Sequence, residues 1–192
     1  MNINKNQPTQ KYSSLTIRAV IGLGNPGSKY YKTRHSIGFR IVDALADLCG
    51  GIWQQGPKQE CAEIRLSADR YDTSTPLVYL IKPLTFMNNS GEVLSFLQKK
   101  GIKPEEIVVI HDELEKPFEH VSLHFGGGAK GHNGLRSIIN MIGKDFWKLR
   151  FGVGRPNDRE DVGDFVLTPF SAQEEVEIPQ LLDMAVALIL KK

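Results

Sequence analysis

The chain carries five histidines, His35, His111, His120, His124 and His132, and two cysteines, Cys49 and Cys61. Imidazole titrates near neutral pH, so each histidine could act as a general base or a metal ligand. The sequence has no His-Glu-x-x-His pair, no Cys/His cluster and no Gly-x-Ser-x-Gly elbow. Those absences argue against a zinc or serine hydrolase. His120 and His124 would share one face of a strand, a spacing open to a metal pair and equally to chance. What remains is a histidine base working with carboxylates and loop asparagines. Spacing alone does not say which histidine it is.

Glycines mark two further places. Gly22-Leu23-Gly24-Asn25-Pro26-Gly27 matches Gly-x-Gly-x-x-Gly after a strand-like run. In a dinucleotide site a helix would open at once, and an acid about 20 residues on would end a second strand. Here Pro26-Gly27-Ser28 reads as a turn, and Asp43 and Asp47 fall inside a helical pattern. The second place is Gly126-Gly127-Gly128-Ala129-Lys130-Gly131-His132-Asn133-Gly134, just before another helical pattern. So many glycines let backbone N–H groups approach a ligand at a helix N-terminus. It is not a Walker loop, because no Gly-Lys-Ser/Thr occurs.

The elements that must position these residues follow from hydrophobic period. Strands are expected over Thr16–Leu23, Cys61–Leu66, Leu77–Ile81 (stopped by Lys82-Pro83), Ile107–Ile110, Val121–Phe125 and Leu149–Val153. Helices are expected with Ile37, Ile41, Leu45 and Leu48 on one face, around Val93, Leu94 and Leu97, and with Leu135, Ile138, Ile139 and Ile142 on one face. Ser171-Ala-Gln-Glu174 is a capping box opening a last helical region, which Pro179 should kink or restart. Alternating strands and helices predict a single α/β domain: a twisted, mostly parallel mixed sheet with helices on both faces.

With 192 residues the chain is long enough for one proper core. No apolar run approaches a membrane span, and MNINKNQPTQKYSS lacks the apolar segment of a secretory signal. Residues 1–15 are expected to form a disordered tail before a domain over residues 16–192. Two cysteines 12 residues apart suit a reduced, cytoplasmic protein. Net charge is only +2, yet residues 1–42 hold seven Lys/Arg and no acid. Residues 120–157 hold six against Asp145 alone, and residues 158–187 hold eight acids. If the two basic segments met, they would make a positive face suited to a polyanion.

Several blocks stand in order along the chain: Val20-Ile-Gly-Leu-Gly-Asn-Pro-Gly27 with Tyr30, Thr33-Arg-His-Ser-Ile-Gly38, Thr85-Phe-Met-Asn-Asn-Ser-Gly91, His111-Asp-Glu-Leu114, Gly126 to Leu135, and Leu149-Arg-Phe-Gly-Val-Gly-Arg-Pro156. Together they resemble the bacterial-type peptidyl-tRNA hydrolase family. The resemblance implies a monomer that needs no metal or other cofactor and no membrane. It implies hydrolysis of the ester joining peptide to tRNA in peptidyl-tRNAs dropped from ribosomes. On that resemblance His35 is the catalytic base, Asp112 the acid that orients it, and Asn25 helps select blocked substrates. Tyr30, Phe86, Asn88 and Asn133 fall on substrate-contacting positions, and Arg150 on a position facing tRNA phosphates. His132, beside Asn133, is the next candidate base. Ser36 stands where the family usually has Asn, and His124 where a Lys is common.

Two rivals stay open on sequence: a tRNA-binding module without activity, and a nucleotide-dependent oxidoreductase suggested by the first glycine match.

Overall fold

The structure, a computed structural model, describes residues 16–67, 74–156 and 162–191. The expected N-terminal tail, residues 1–15, lies outside them. The elements run β1 (Ala19–Gly22), α1 (Ser28–Tyr31), α2 (Ile37–Cys49), β2 (Gln54–Gln55), β3 (Gln59–Arg65), β4 (Leu77–Pro83), α3 (Leu94–Lys99), β5 (Ile107–Glu113), β6 (Val121–Phe125), α4 (Asn133–Ile142), β7 (Trp147–Gly152), α5 (Val162–Val166) and α6 (Ala172–Leu190). One sheet has the order β2-β3-β4-β1-β5-β7-β6. The central β4, β1, β5 and β7 are parallel, and β2, β3 and β6 run antiparallel at the edges.

Side chains alternate along the central strands, and each face finds its own helices. Val20, Leu80, Val108, Ile110, Leu149 and Phe151 pack on the side of α2 and α6. Ala19, Ile21, Ile81, Ile107, Val109 and Phe146 pack on the side of α3 and α4. Strand β5 is buried along its whole length: its apolar run Ile107–Ile110 as a covered parallel sheet requires, and His111, Asp112 and Glu113 after it.

The structure departs from the sequence reading at several ends. β1 is confined to four residues, and β4 runs through Lys82 to end on Pro83. On α2, Cys49 is buried and Leu48 is exposed, because the buried stripe is Ile37, Ile41, Leu45 and Cys49. Pro179 does not restart α6, which is continuous past it. A proline there removes one backbone bond. The buried stripe of Ile178, Leu181, Ala185 and Ile189 holds the helix together across it. The capping box at its start is formed in both directions between Ser171 and Glu174.

Candidate active site

The parallel strands all end at one edge, and the chain leaves the neighbouring strands β1 and β4 toward opposite sides of the sheet, to α2 and to α3. Ligands bind in the crevice at such a reversal. Asn25 follows β1, Met87 and Asn88 follow β4, and Asp112 stands near the end of β5.

His35 rides on a one-turn 3-10 helix, Arg34–Ser36, just ahead of α2. Small polar side chains shape that turn. Thr33 Oγ1 donates to the Tyr30 carbonyl at 2.7 Å, and Ser36 Oγ accepts the Asn25 N–H at 3.1 Å. From the other side Arg34 donates to Thr168 Oγ1 at 2.8 Å and to Glu174 at 2.7 Å. Its guanidinium also lies 4.4 Å from the Phe165 ring. The turn is therefore gripped both by the loop after β1 and by the segment joining α5 to α6.

Asp112 is buried, and one oxygen, Oδ1, meets His35 Nδ1 at 2.8 Å and His132 Nε2 at 3.0 Å. Burial opposes its ionisation, but the two imidazoles outweigh that and hold its carboxyl well below the usual range. An ionised carboxylate can only accept, so both ring nitrogens donate. His132 is also the N-cap of α4, its Nδ1 accepting the Leu135 N–H at 3.2 Å. Both of its nitrogens are engaged. His35 keeps the lone pair on Nε2, and its side chain remains 12% exposed. Burial disfavours its protonation, yet the Asp112 carboxylate raises its pKa above the ordinary value. His111 donates from Nδ1 to the Asp112 carbonyl at 2.7 Å. Burial and the neighbouring His132 push its pKa down to about 3, so it stays neutral.

His35, Asp112 and His132 each offer a ligand atom within 4.8 Å of one another. A metal there would need a bare Nε2 on His132, moving its proton to Nδ1 and breaking the α4 cap. The donor set therefore suits a hydrogen-bonded triad. His120 turns instead to Ser122 Oγ at 3.2 Å.

Two cavities meet at His35. One is a cleft lined by Asn25, Phe86, Met87, Asn88 and Asn133, with α5 residues Gly163 and Val166 opposite. Asn25 is oriented by the Met87 N–H, which donates to its Oδ1 at 2.9 Å. That leaves its amide N–H groups as donors. Phe86 is 60% exposed, and Tyr30 packs edge-on against it at 6.4 Å. The second cavity is lined by Asp112, Glu113, Lys130, His132 and Arg150. Arg150 is only 15% exposed, with Nε 3.7 Å from the buried Glu113 carboxylate, which Lys130 also approaches at 3.3 Å. The expected residues thus divide: Asn25, His35, Phe86, Asn88 and Asn133 share the cleft, Asp112 lies beneath, Tyr30 supports Phe86, and Arg150 lines the neighbouring cavity. On residue type and resemblance His132 is only a second candidate base. Its place before a helical pattern was the signal that it caps α4.

The first glycine motif has a packing origin. A Cβ on Gly22 would lie 2.3 Å from the Gly38 carbonyl oxygen, and one on Gly24 2.7 Å from the Phe39 ring. These glycines let β1 and the following loop press against α2. Only the four-residue α1 follows Gly27, and Asp43 is taken by Lys82 at 2.8 Å. The dinucleotide reading fails on both counts.

A family model described as Peptidyl-tRNA hydrolase matches residues 19–191. The chain is 40% identical over 179 residues to a peptidyl-tRNA hydrolase from Aquifex aeolicus, covering 92% of this chain and 90% of the relative. It is 44% identical over 168 residues to one from Mycolicibacterium smegmatis, covering 86% and 85%. Among solved structures, the peptidyl-tRNA hydrolase of Acinetobacter baumannii superposes with a TM-score of 0.83 at 36% identity, covering 92% of this chain and 91% of that one.

Proposed function

The chain belongs to the peptidyl-tRNA hydrolase family, and we propose that it hydrolyses peptidyl-tRNA with His35 as general base. The observation that carries this reading is the ring orientation. Asp112 engages Nδ1 of His35 and leaves Nε2 as the one free lone pair of the triad, at the junction of the two cavities. Nε2 takes a proton from water, and the hydroxide attacks the ester carbonyl carbon. The carbonyl electrons move onto oxygen, and amide donors such as those of Asn25 and Asn133 stabilise that oxyanion. Collapse breaks the bond to the ribose oxygen, which takes the proton back from the imidazolium. Free peptide and tRNA leave. Asp112 stabilises the imidazolium without taking its proton.

The cleft with Asn25, Asn88 and Asn133 suits a peptide backbone, since each amide both donates and accepts. Exposed Phe86, backed by Tyr30, offers a face on which a base or side chain can lie. Arg150 and Lys130 in the second cavity suit the tRNA phosphates. Such an enzyme would act on peptidyl-tRNAs released from ribosomes and recycle the tRNA, as a monomer in the cytoplasm. No helix among the described residues is long and apolar enough to cross a membrane.

The test is His35→Ala on an N-blocked aminoacyl-tRNA. Loss of the base should lower kcat by about 10²–10⁴-fold while substrate still binds. Near-normal kcat would refute the mechanism.

A further inference from the structure

Lys148 is completely buried on β7, on the α4 side of the sheet. Its Nζ donates to the Gly126 carbonyl at 3.0 Å and to the Lys144 carbonyl at 3.0 Å, and stands 3.6 Å from the centre of the Phe146 ring. These two carbonyls are the two ends of one segment. Gly126 is where the chain leaves β6 for the glycine-rich loop, and Lys144 is in the turn after α4. Between them lie His132, which donates to Asp112, and Asn133, which lines the cleft. A backbone bond from the Gly126 N–H to the Phe146 carbonyl at 2.9 Å closes the same base.

An ammonium among apolar side chains is costly, and an apolar residue of like volume would often serve stability better. An ammonium in this position does something an apolar residue cannot: it joins two carbonyls that are 18 residues apart in sequence. We propose that Lys148 is a positioning residue for the active site: its buried ammonium ties together both ends of the Gly126–Lys144 segment and so holds His132 against Asp112 and Asn133 at the cleft. This rests on the reading of His35 as a base oriented by Asp112.

The charged groups around it are Arg150 on the same strand, Asp145 in the turn and, across the sheet, His124 opposite on β6. Burial and Arg150 push the Lys148 pKa down to about 8, against the pull of Asp145. Loss of its proton leaves two N–H donors. It removes the charge that makes such bonds roughly twice as strong, and the attraction to the Phe146 ring. The clamp therefore weakens as pH rises past that value.

The experiment is a kcat/KM–pH profile on N-blocked aminoacyl-tRNA for the wild type, Lys148→Arg and Lys148→Met, corrected for spontaneous ester cleavage, with a thermal melt of each protein. Lys148→Met should lose roughly ten- to a hundredfold at neutral pH, as a small misplacement can cause. Its acidic limb should move to higher pH, because Asp112 without the His132 N–H holds the His35 proton more strongly. Lys148→Arg should recover most of the activity and lack the alkaline fall near pH 8, since a guanidinium stays charged. A folded Lys148→Met with a wild-type profile would overturn the proposal. So would a uniform drop with an unmoved acidic limb, which would assign Lys148 to the fold alone. If Lys148→Met does not fold, Lys148→Arg decides, and an alkaline fall identical to wild type overturns it. His35→Ala run alongside separates the two readings. If it is inactive while both Lys148 variants keep wild-type limbs, the clamp alone fails. If it stays active, the base assignment fails, and Lys148 is judged by the loss in Lys148→Met and the recovery in Lys148→Arg.

Discussion

Asp112 receives two imidazoles on a single oxygen, and the difference between them lies in their far nitrogens. The far nitrogen of His132 accepts a backbone N–H and caps a helix, so it has no lone pair to take a proton from water. The far nitrogen of His35 has one. Asp112→Asn keeps the shape and removes the charge. The carboxylate raises the His35 pKa by favouring the protonated ring, so its loss must lower that pKa. The proposed base is active when neutral, and the acidic limb of the pH–rate profile should therefore move to lower pH. The rate should fall less than with His35→Ala. A limb that stays in place or moves upward would contradict this electrostatic role. Asn25 allows a second test. An Asp there keeps an oxygen for the Met87 N–H and exchanges the donating amide for an anionic oxygen. It should attract a free α-ammonium and raise kcat/KM for unblocked relative to N-blocked aminoacyl-tRNA. An unchanged ratio of the two constants would rule that out.

At the scale of elements, the turn carrying His35 is aimed by how closely β1 meets α2. Gly22 and Gly38 meet backbone to backbone, and a Cβ on Gly38 would lie 2.4 Å from the Leu23 nitrogen. Neither neighbour can give way, because both are main chain. Gly22→Ala should therefore cost about 1–3 kcal/mol or more in chemical denaturation, as overpacking does. Adding NAD or NADP should not stabilise the wild type. A Gly22→Ala protein as stable as wild type would mean that the strand and helix can slide apart. The glycine-rich loop carries a different burden. Gly126, Gly127 and Gly131 take positive φ values of 72°, 90° and 88°, a region that favours glycine. This conformation delivers His132 to both the α4 N-terminus and Asp112.

Over the whole molecule, charge is distributed otherwise than the linear sequence suggests. The basic N-terminal segment does not simply join the basic 120–157 segment. Arg34 pairs with Glu174, and Arg40 pairs through both nitrogens with Glu175 at 2.8 and 2.9 Å. The acidic C-terminal stretch thus takes up two of the N-terminal cations, and Lys148 is buried as well. The positive groups at the site are Lys130 and Arg150; burial, then Arg150, Lys116, His120 and Lys130, lower the His124 pKa. Binding of tRNA should weaken with salt, with a slope of roughly −0.9 per duplex phosphate neutralised. Arg150→Ala should flatten that slope by about one such contact and hardly affect a minimal substrate without the tRNA body. Arg40→Ala should leave the slope alone. Equal losses on both substrates would mean that Arg150 serves its pair with Glu113.

The sequence by itself determined the order of strands and helices and the capping box at Ser171 and, by resemblance, pointed to His35, Asp112 and Asn25 as candidates for the site. Periodicity and turn chemistry are local, so they survive without coordinates, although the ends of β1 and β4 and the continuity of α6 past Pro179 did not. Packing against the rest of the molecule set those ends. Only the tertiary structure decided what the glycines at 22 and 24 are for, since a close approach 15 or more residues away in sequence leaves no local trace. It alone decided which cations are already paired. It also made His132 a partner of Asp112 and brought Lys148 under the loop that carries it. A hydrogen bond between β5 and the cap of α4 depends on two elements from opposite edges of a connection meeting in space, and neither residue type nor spacing encodes that distance.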